Sequence, residues 1–214
     1  MKNLHERIRE NFGYTKEEFG IAINGTVDIA LAIAIYAHRD QQRENGKPYY
    51  VHPISCMSLY RNFVGIIEGD HDCIDLDLLD CYGLPFKGVQ EVALLHDVLE
   101  DTDITLEEIE EFFEEFGEKT YFNLYIKQAL LLITHDKSES YEIYIDRLLV
   151  NPIASLCKML DMTDNMNMFG LSNLSDSALE RTIRYAKYFK QINDKWHFIE
   201  NMQTYKYARS VDKE

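Results

Sequence analysis

The stretch LLHDVLEDT, residues 94–102, follows an apolar run and brings four groups able to bind metal or protons within six positions. On a helix, His96 and Glu100 are one turn apart, as are Asp97 and Asp101, so their side chains lie on adjoining faces. Burying a His-Asp pair is costly unless the groups are paired or bind a metal ion. The stretch therefore predicts a helix that carries a polar, reactive site into the core.

The surrounding sequence predicts an all-α fold. The 214 residues include only 4 Pro and 10 Gly, and a hydrophobic content of 46% is enough for one core. Thr15 with Glu18, and Thr105 with Glu108, fit capping boxes, while Thr26 and Asn151 are expected to cap the helices that follow them. We expect helices over 27–37, from His52 onward, and over 88–101, 105–116, 119–133, 140–149, 151–166 and 175–206, the last as one or two helices.

The predicted organisation is a single helical bundle with additions. Residues 1–24 form an N-terminal helical extension, residues 25–170 the core, and residues 171–214 C-terminal helices packed on it. Residues 65–87 are a glycine-punctuated acidic insertion that fails the EF-hand calcium pattern. The amphipathic, Tyr-rich C-terminal segment suggests self-association into a homo-oligomer.

The overall charge constrains the partners. A net charge of −15 repels nucleic acid and anionic membranes, and no apolar run is long enough to span a bilayer. The N-terminus has no apolar secretion signal, and the four cysteines form no CxxC pair. These features favour a cytoplasmic protein with reduced thiols, which binds neither nucleic acid nor membrane.

Two further segments add polar groups to otherwise apolar helices. Residues 36–53 run from a buried helix into a loop that holds Arg39, Arg43, Lys47 and Tyr49, a local basic cluster suited to phosphate binding. Residues 158–166 place Asp161 and Asn165 one turn apart on an apolar helix. Taken alone, each segment could be an ordinary solvated loop or helix end.

Together, three segments resemble a known family. The sequences AHRDQQRENGKPYYVHP (37–53), LLHDVLEDT (94–102) and NPIASLCKMLDMTDNM (151–166) are similar, in the same order, to the signature segments of HD-type alarmone hydrolases. These are the hydrolase domains of the Rel/SpoT family and their small stand-alone relatives. The resemblance covers about residues 28–170.

The resemblance implies a metal-dependent phosphohydrolase that removes pyrophosphate from the 3′ position of guanosine tetra- or pentaphosphate. One divalent ion, most commonly Mn²⁺, would be bound by His52, His96, Asp97 and Asp161. Glu100 and Asp101 match the acidic pair that handles the attacking water. Substrate-binding residues would be Arg43, Tyr49 and Asn165, with Lys47 added because of its charge.

Some positions depart from the family pattern. Glu44 stands where relatives usually have a second basic residue, while Met162 and Asp164 replace a commonly found Arg and His. Because these positions surround the substrate rather than the metal, two alternatives stay open. One is an HD phosphohydrolase acting on another nucleotide, a nucleoside monophosphate or a dinucleotide, and the other is a non-catalytic nucleotide-binding module.

Two other His-Asp pairs occur, His71-Asp72 and His135-Asp136, but neither is followed by a Glu-Asp pair. We interpret both as surface groups without a role at the site. For His38 we expect a structural hydrogen bond.

Overall fold

The computed structural model describes residues 2–64, 83–85, 87–167 and 175–211, with side chains through residue 205. Within these ranges regular structure is helical, and the only β-type pairing is an isolated bridge between Gln42 and Pro48. The predicted all-α fold is confirmed. Most of the predicted 65–87 insertion, including His71-Asp72, lies outside the described residues.

The helices, in chain order, have the following bounds. They are α1 (Leu4–Phe12), α2 (Lys16–Ala22), α3 (Thr26–Ala37), α4 (Val51–Val64), α5 (Val89–Leu95), α6 (Val98–Asp101), α7 (Leu106–Glu115), α8 (Lys119–Tyr121), α9 (Lys127–Ile133), α10 (Tyr141–Leu148), α11 (Pro152–Asn165), α12 (Asp176–Trp196) and α13 (Phe198–Val211). A π-helical turn, Phe122–Ile126, joins α8 to α9. Within the described ranges, short connections join consecutive helices, as in a bundle around one core.

Most predicted helix starts are correct. Thr15 and Thr105 both form complete capping boxes, and Asn151 caps α11 ahead of a first-turn proline. The prediction for Thr26 is wrong, because α3 begins at Thr26 itself, after Gly25. The Thr26 hydroxyl instead donates a hydrogen bond to the buried carboxylate of Glu91, which needs a donor inside the core.

Helix α5 lies at the centre of the bundle, packed against α3, α4 and α11. Its residues Val92, Leu94 and Leu95 are fully buried. The predicted continuous helix over 88–101 is wrong in one respect, since it breaks into α5 and α6 with His96 and Asp97 at the turn. On a regular helix consecutive side chains point about 100° apart, so the break lets two adjacent residues face one point.

The two ends of the chain pack onto this core. On the N-terminal side, the rings of His5, Phe19 and Phe112 form an aromatic cluster between α1, α2 and α7. Helices α12 and α13 meet at His197, in a left-handed conformation, and the Trp196 indole donates a 3.1 Å hydrogen bond to Ser155 Oγ on α11. Cys56 and Cys157 are free and buried.

In the described part of the chain, no single helix has the length and apolar character needed to cross a membrane. Helices α2 and α3 reach that length only as a pair, with a bend of 119° between them.

Candidate metal centre and substrate clefts

Four side chains, the predicted metal ligands, converge on one point from three parts of the fold. His52 comes from α4, His96 and Asp97 from the turn after α5, and Asp161 from α11. His52 Nε2 lies 3.1 Å from Asp161 Oδ1 and 3.7 Å from Asp97 Oδ2, and His96 Nε2 lies 3.1 Å from Asp97 Oδ2 and 3.7 Å from Asp161 Oδ1. The structure therefore places the Nε2 atom of each histidine within 3.7 Å of both carboxylate oxygens.

The outer nitrogens of both rings have acceptors. His96 Nδ1 donates to the Ala93 carbonyl at 2.9 Å, and His52 Nδ1 donates to Asp164 Oδ2 at 2.7 Å. With protons on Nδ1, neutral imidazoles direct their Nε2 lone pairs at carboxylate oxygens, which is unfavourable unless a cation lies between them. His96 Nε2 is also buried without a well-formed hydrogen bond. This donor set fits a divalent metal ion of borderline softness.

The pKa shifts of the predicted ligands also favour a bound cation. Burial acts to raise the pKa of Asp161, but Lys158 and the two histidines outweigh it and hold that pKa well below its ordinary value. Burial acts to lower the pKa of His96, yet the adjacent Asp97 and Asp161 raise it. The centre is therefore electrostatically favourable for a cation. A proton and a metal ion would compete with each other for the same Nε2 atoms.

A cysteine also lies near the two histidines. Cys56 Sγ, His52 and His96 have ligand atoms within 4.8 Å of one another. However, Cys56 Sγ lies 3.8 Å from Nδ1 of His52, the nitrogen already bonded to Asp164. Burial raises the pKa of this thiol well above its ordinary value, which disfavours the thiolate form that binds metals. We therefore favour the carboxylates as the partners of the histidines.

The ligand carboxylates are held by a surrounding layer of polar groups. The Tyr49 hydroxyl donates a 2.7 Å hydrogen bond to Asp97 Oδ2, and the Asn165 amide donates to Asp161 Oδ1. Lys158 Nζ contacts Asp161 Oδ2 at 2.7 Å and lies 5.3 Å from the centre of the Tyr144 ring. The two residues expected at the nucleotide, Tyr49 and Asn165, thus contact predicted metal ligands directly.

A first cleft of about 390 Å³ opens beside His52. All four predicted substrate-binding residues, Arg43, Lys47, Tyr49 and Asn165, line it. Arg43 pairs with Asp164 Oδ2 at 2.7 Å and donates to Asn165 Oδ1 at 3.1 Å. Burial acts to raise the pKa of Asp164, but hydrogen bonds from His52, Ser55 and Arg43 lower it, so the carboxylate is charged.

A second cleft of about 520 Å³ is lined by the predicted catalytic pair, Glu100 and Asp101, together with Arg39 and Lys137. Glu100 Oε2 accepts a 3.1 Å hydrogen bond from the backbone N–H of His135. Burial, Asp101 and Asp97 raise the pKa of Glu100, and burial and Asp97 raise that of Asp101. Carboxylates with raised pKa values are suited to accepting a proton near neutral pH.

Sequence reasoning missed three contributors to this site. Asp164 was noticed only as a departure from the family pattern, although its position three residues after Asp161 places it on a neighbouring face. His135, interpreted as a surface group, is half-buried against Tyr144, and its backbone amide holds Glu100. For His135 the prediction was wrong, because a backbone donor leaves no signal in the residue pattern, whereas Asp136 is exposed as predicted. Lys158 had no assigned role.

His38 has the structural role expected of it. The ring is fully buried, and Nδ1 donates to Gln41 Oε1 at 2.7 Å. Gln41 in turn donates to the Asp101 carbonyl at 2.8 Å. The pair therefore ties the end of α6, with the predicted catalytic carboxylates, to the loop after α3.

Comparison with known proteins gives a consistent picture. No family model matches the sequence. The guanosine-3′,5′-bis(diphosphate) 3′-pyrophosphohydrolase of Aquifex aeolicus is 32% identical over 137 residues, which cover 64% of this chain and 17% of that protein. The mouse protein of the same name, MESH1, is 30% identical over 111 residues, 51% of this chain and 47% of the relative. The chain thus spans less than half of the length of these relatives.

A solved structure of a metazoan orthologue of SpoT, described as hydrolysing ppGpp, matches 87% of this chain and 97% of its own. Its TM-score is 0.52 at 21% identity, so this match concerns the fold. The predicted resemblance to the Rel/SpoT hydrolases is therefore confirmed, in sequence by the curated relatives and in fold by the solved structure.

Proposed function

We propose that this protein is a metal-dependent phosphohydrolase that removes the 3′-pyrophosphate from guanosine tetra- or pentaphosphate. The observation that carries the proposal is the convergence of His52, His96, Asp97 and Asp161, in which each Nε2 atom lies within 3.7 Å of both carboxylate oxygens. The names of the similar enzymes support the substrate.

The same four residues would hold one divalent ion, for which we propose Mn²⁺. When bound, such an ion supplies a Lewis acid for a phosphoryl oxygen and lowers the pKa of water. Tyr49 and Lys158 keep Asp97 and Asp161 oriented toward the ion through their hydrogen bonds.

Glu100 is the proposed proton acceptor. Its Oε2 is held by the His135 amide, which leaves Oε1 to accept a proton from the attacking water, and Asp101 shares the negative environment of the same cleft. The water oxygen forms a bond to the phosphorus that carries the ribose 3′ oxygen, and the bond between that phosphorus and the 3′ oxygen breaks. The 3′ oxygen takes up a proton equivalent to the one that Glu100 accepted, and the products are guanosine 5′-di- or triphosphate and pyrophosphate.

Arg43 and Lys47 would bind phosphate groups in the first cleft. An arginine guanidinium offers paired donors, and Lys47 is exposed at the cleft wall. The substrate is thus a small phosphorylated nucleotide. Self-association through the C-terminal helices stays a prediction.

A second candidate, an HD phosphohydrolase acting on a different nucleotide, is favoured by one feature of the first cleft. Arg43 is already paired with Asp164, and Glu44 also lines the wall, so this cleft has less free positive charge than its two arginines and one lysine suggest. Chromatography of products from guanosine tetraphosphate, a nucleoside monophosphate and a dinucleotide separates the two. Pyrophosphate release from the first substrate alone supports our proposal, whereas turnover of only the others contradicts it.

A further inference from the structure

We infer that Asp164 is a positioning residue that ties the metal ligand His52 to the phosphate-binding Arg43 through a single carboxylate oxygen. The inference rests on the proposed function and concerns a residue at which this chain departs from the Rel/SpoT pattern. Asp164 contacts neither the common centre of the four ligands nor the catalytic pair in the second cleft. Its effect is exerted through its neighbours.

The Asp164 carboxylate accepts hydrogen bonds from three side chains. Its Oδ2 accepts from His52 Nδ1 at 2.7 Å and from Arg43 at 2.7 Å, and its Oδ1 accepts from the Ser55 hydroxyl at 2.5 Å. The side chain is 10% exposed, so water competes weakly for these bonds. A charged carboxylate held in this way has little freedom to rotate.

For His52, the consequence is a fixed ring. A carboxylate acceptor at Nδ1 keeps the proton on that atom and makes Nε2 a more basic ligand directed at Asp161 and Asp97. The Ala93 carbonyl performs the same task for His96 with a neutral acceptor. The two histidines therefore differ in the strength of their outer partner, and His52 is the one whose outer partner is a side chain.

For Arg43, the consequence is a preset position at the wall of the first cleft. One nitrogen is paired with Asp164 and the other with Asn165 Oδ1, while the Asn165 amide bonds the metal ligand Asp161. Arg43 is therefore connected to two metal ligands through one intermediate residue each. A phosphate that binds Arg43 must share it with Asp164, so binding in the cleft alters the hydrogen bond that orients His52.

The inference predicts two separable effects of replacing Asp164. Asp164→Ala removes the acceptor for both neighbours, so we expect Mn²⁺ affinity to fall by roughly 10- to 100-fold, the range observed when an outer partner of a metal ligand is lost. At saturating Mn²⁺, kcat should recover toward the wild-type value while KM stays several-fold higher, because Arg43 has lost its anchor. Asp164→Asn keeps one acceptor oxygen and should show a smaller change in both quantities.

The experiment is calorimetric titration of Mn²⁺ into the wild type and the two variants, with pyrophosphate-release kinetics on the same samples. Asp194→Asn removes the same charge from an exposed position on α12 and serves as the matched control. Circular dichroism and thermal unfolding establish whether each variant is folded. If Asp164→Ala does not fold, Asp164→Asn provides the test.

A second readout requires no metal and no turnover. In ¹H–¹⁵N spectra of the metal-free protein, the His52 Nδ1 proton should be protected from solvent exchange in the wild type and in Asp194→Asn, and lost in Asp164→Ala. If the wild type released no pyrophosphate, the proposed function would fail while this readout still tested Asp164. Unchanged Mn²⁺ affinity together with an unchanged Nδ1 signal in Asp164→Ala would overturn the inference.

Discussion

The hydroxyl of Tyr49 donates a 2.7 Å hydrogen bond to Asp97 Oδ2, the same oxygen that lies 3.1 Å from His96 Nε2. Tyr49 therefore supports a metal ligand and also lines the first cleft. Burial, reinforced by the charge of Asp97, raises the pKa of Tyr49, so the phenol remains a donor.

Replacement of Tyr49 by phenylalanine should weaken metal binding. The variant removes only the hydrogen bond to Asp97, and we expect about a tenfold loss in Mn²⁺ affinity by calorimetry, the lower end of the range for such partners. Tyr50→Phe, the same change at the neighbouring position, is the control. An increase in KM with unaltered Mn²⁺ affinity would mean that Tyr49 serves the substrate alone.

Replacement of Glu100 by glutamine should abolish proton transfer and preserve the site. Glutamine still accepts the His135 amide hydrogen bond but cannot take a proton from water, so kcat should fall by about 10²- to 10⁴-fold. Mn²⁺ affinity should stay within twofold or so of the wild type. Asp136→Asn, an exposed carboxylate on the adjacent loop, should have wild-type kcat. Comparable kcat in Glu100→Gln and wild type would assign the proton acceptor elsewhere.

Gly88 controls the start of the central helix α5. It has φ +81°, and a Cβ added there would lie 2.7 Å from the Tyr125 carbonyl oxygen. Gly117 has a similar φ of +79° with open space around it, so Gly117→Ala should cost about 1–2 kcal/mol from the backbone conformation alone. Gly88→Ala should cost about 1–3 kcal/mol more because of the added clash.

Urea denaturation of the two glycine variants measures this difference. Similar free energies of unfolding for Gly88→Ala and Gly117→Ala would show that the contact with Tyr125 relaxes without cost.

The raised pKa of the buried Glu91 carboxyl predicts how the stability of the protein depends on pH. Burial raises the pKa of this carboxyl on α5, even though the Thr26 hydroxyl donates a hydrogen bond to it. The folded-state pKa lies above the unfolded value of about 4.3, so protonated Glu91 stabilises the folded state. This stabilisation is fully present below the unfolded pKa and is lost as pH rises through the folded pKa. Glu91→Gln, which cannot ionise, should therefore be more stable than the wild type at pH 7.

The advantage of Glu91→Gln should shrink steadily as pH falls toward the unfolded pKa of glutamate. Urea denaturation between pH 7 and pH 5 measures the two curves. A wild type more stable than Glu91→Gln at pH 7, or a gap that widens on acidification, would contradict the raised pKa.

Much of the fold was predictable because its signals are local. Capping boxes at Thr15 and Thr105 and the Asn151 cap depend on residues three positions apart, and all three are confirmed. The break between α5 and α6 was not predictable in this way. It reflects a tertiary requirement, that His96 and Asp97 face one centre, and overrides an apolar pattern that would continue as a single helix.

In the candidate site, too, some residues could be predicted from local sequence motifs and others could not. His52, His96, Asp97 and Asp161 were inferred from motifs, and the structure brings them together. The supporting contacts were not inferred, because Asp164 and the His135 amide act on residues that are distant in sequence. Lys158 contacts Asp161 within the same helix, but a lysine three residues before an aspartate is too common a pattern to indicate a site. Residue patterns identify ligands more readily than the partners that hold those ligands in place.

The central claim is that the protein removes the 3′-pyrophosphate from guanosine tetraphosphate, and that it requires one divalent ion that these four residues would hold. The most direct measurement is pyrophosphate release in the presence of Mn²⁺, with and without chelator, by the wild type, by Asp97→Ala and by Asp136→Ala, which alters the aspartate of the other described His-Asp pair. We predict chelator-sensitive release by the wild type and Asp136→Ala, and none by Asp97→Ala. Equal release by Asp97→Ala and the wild type, or no release by a wild type that binds Mn²⁺, would contradict the account.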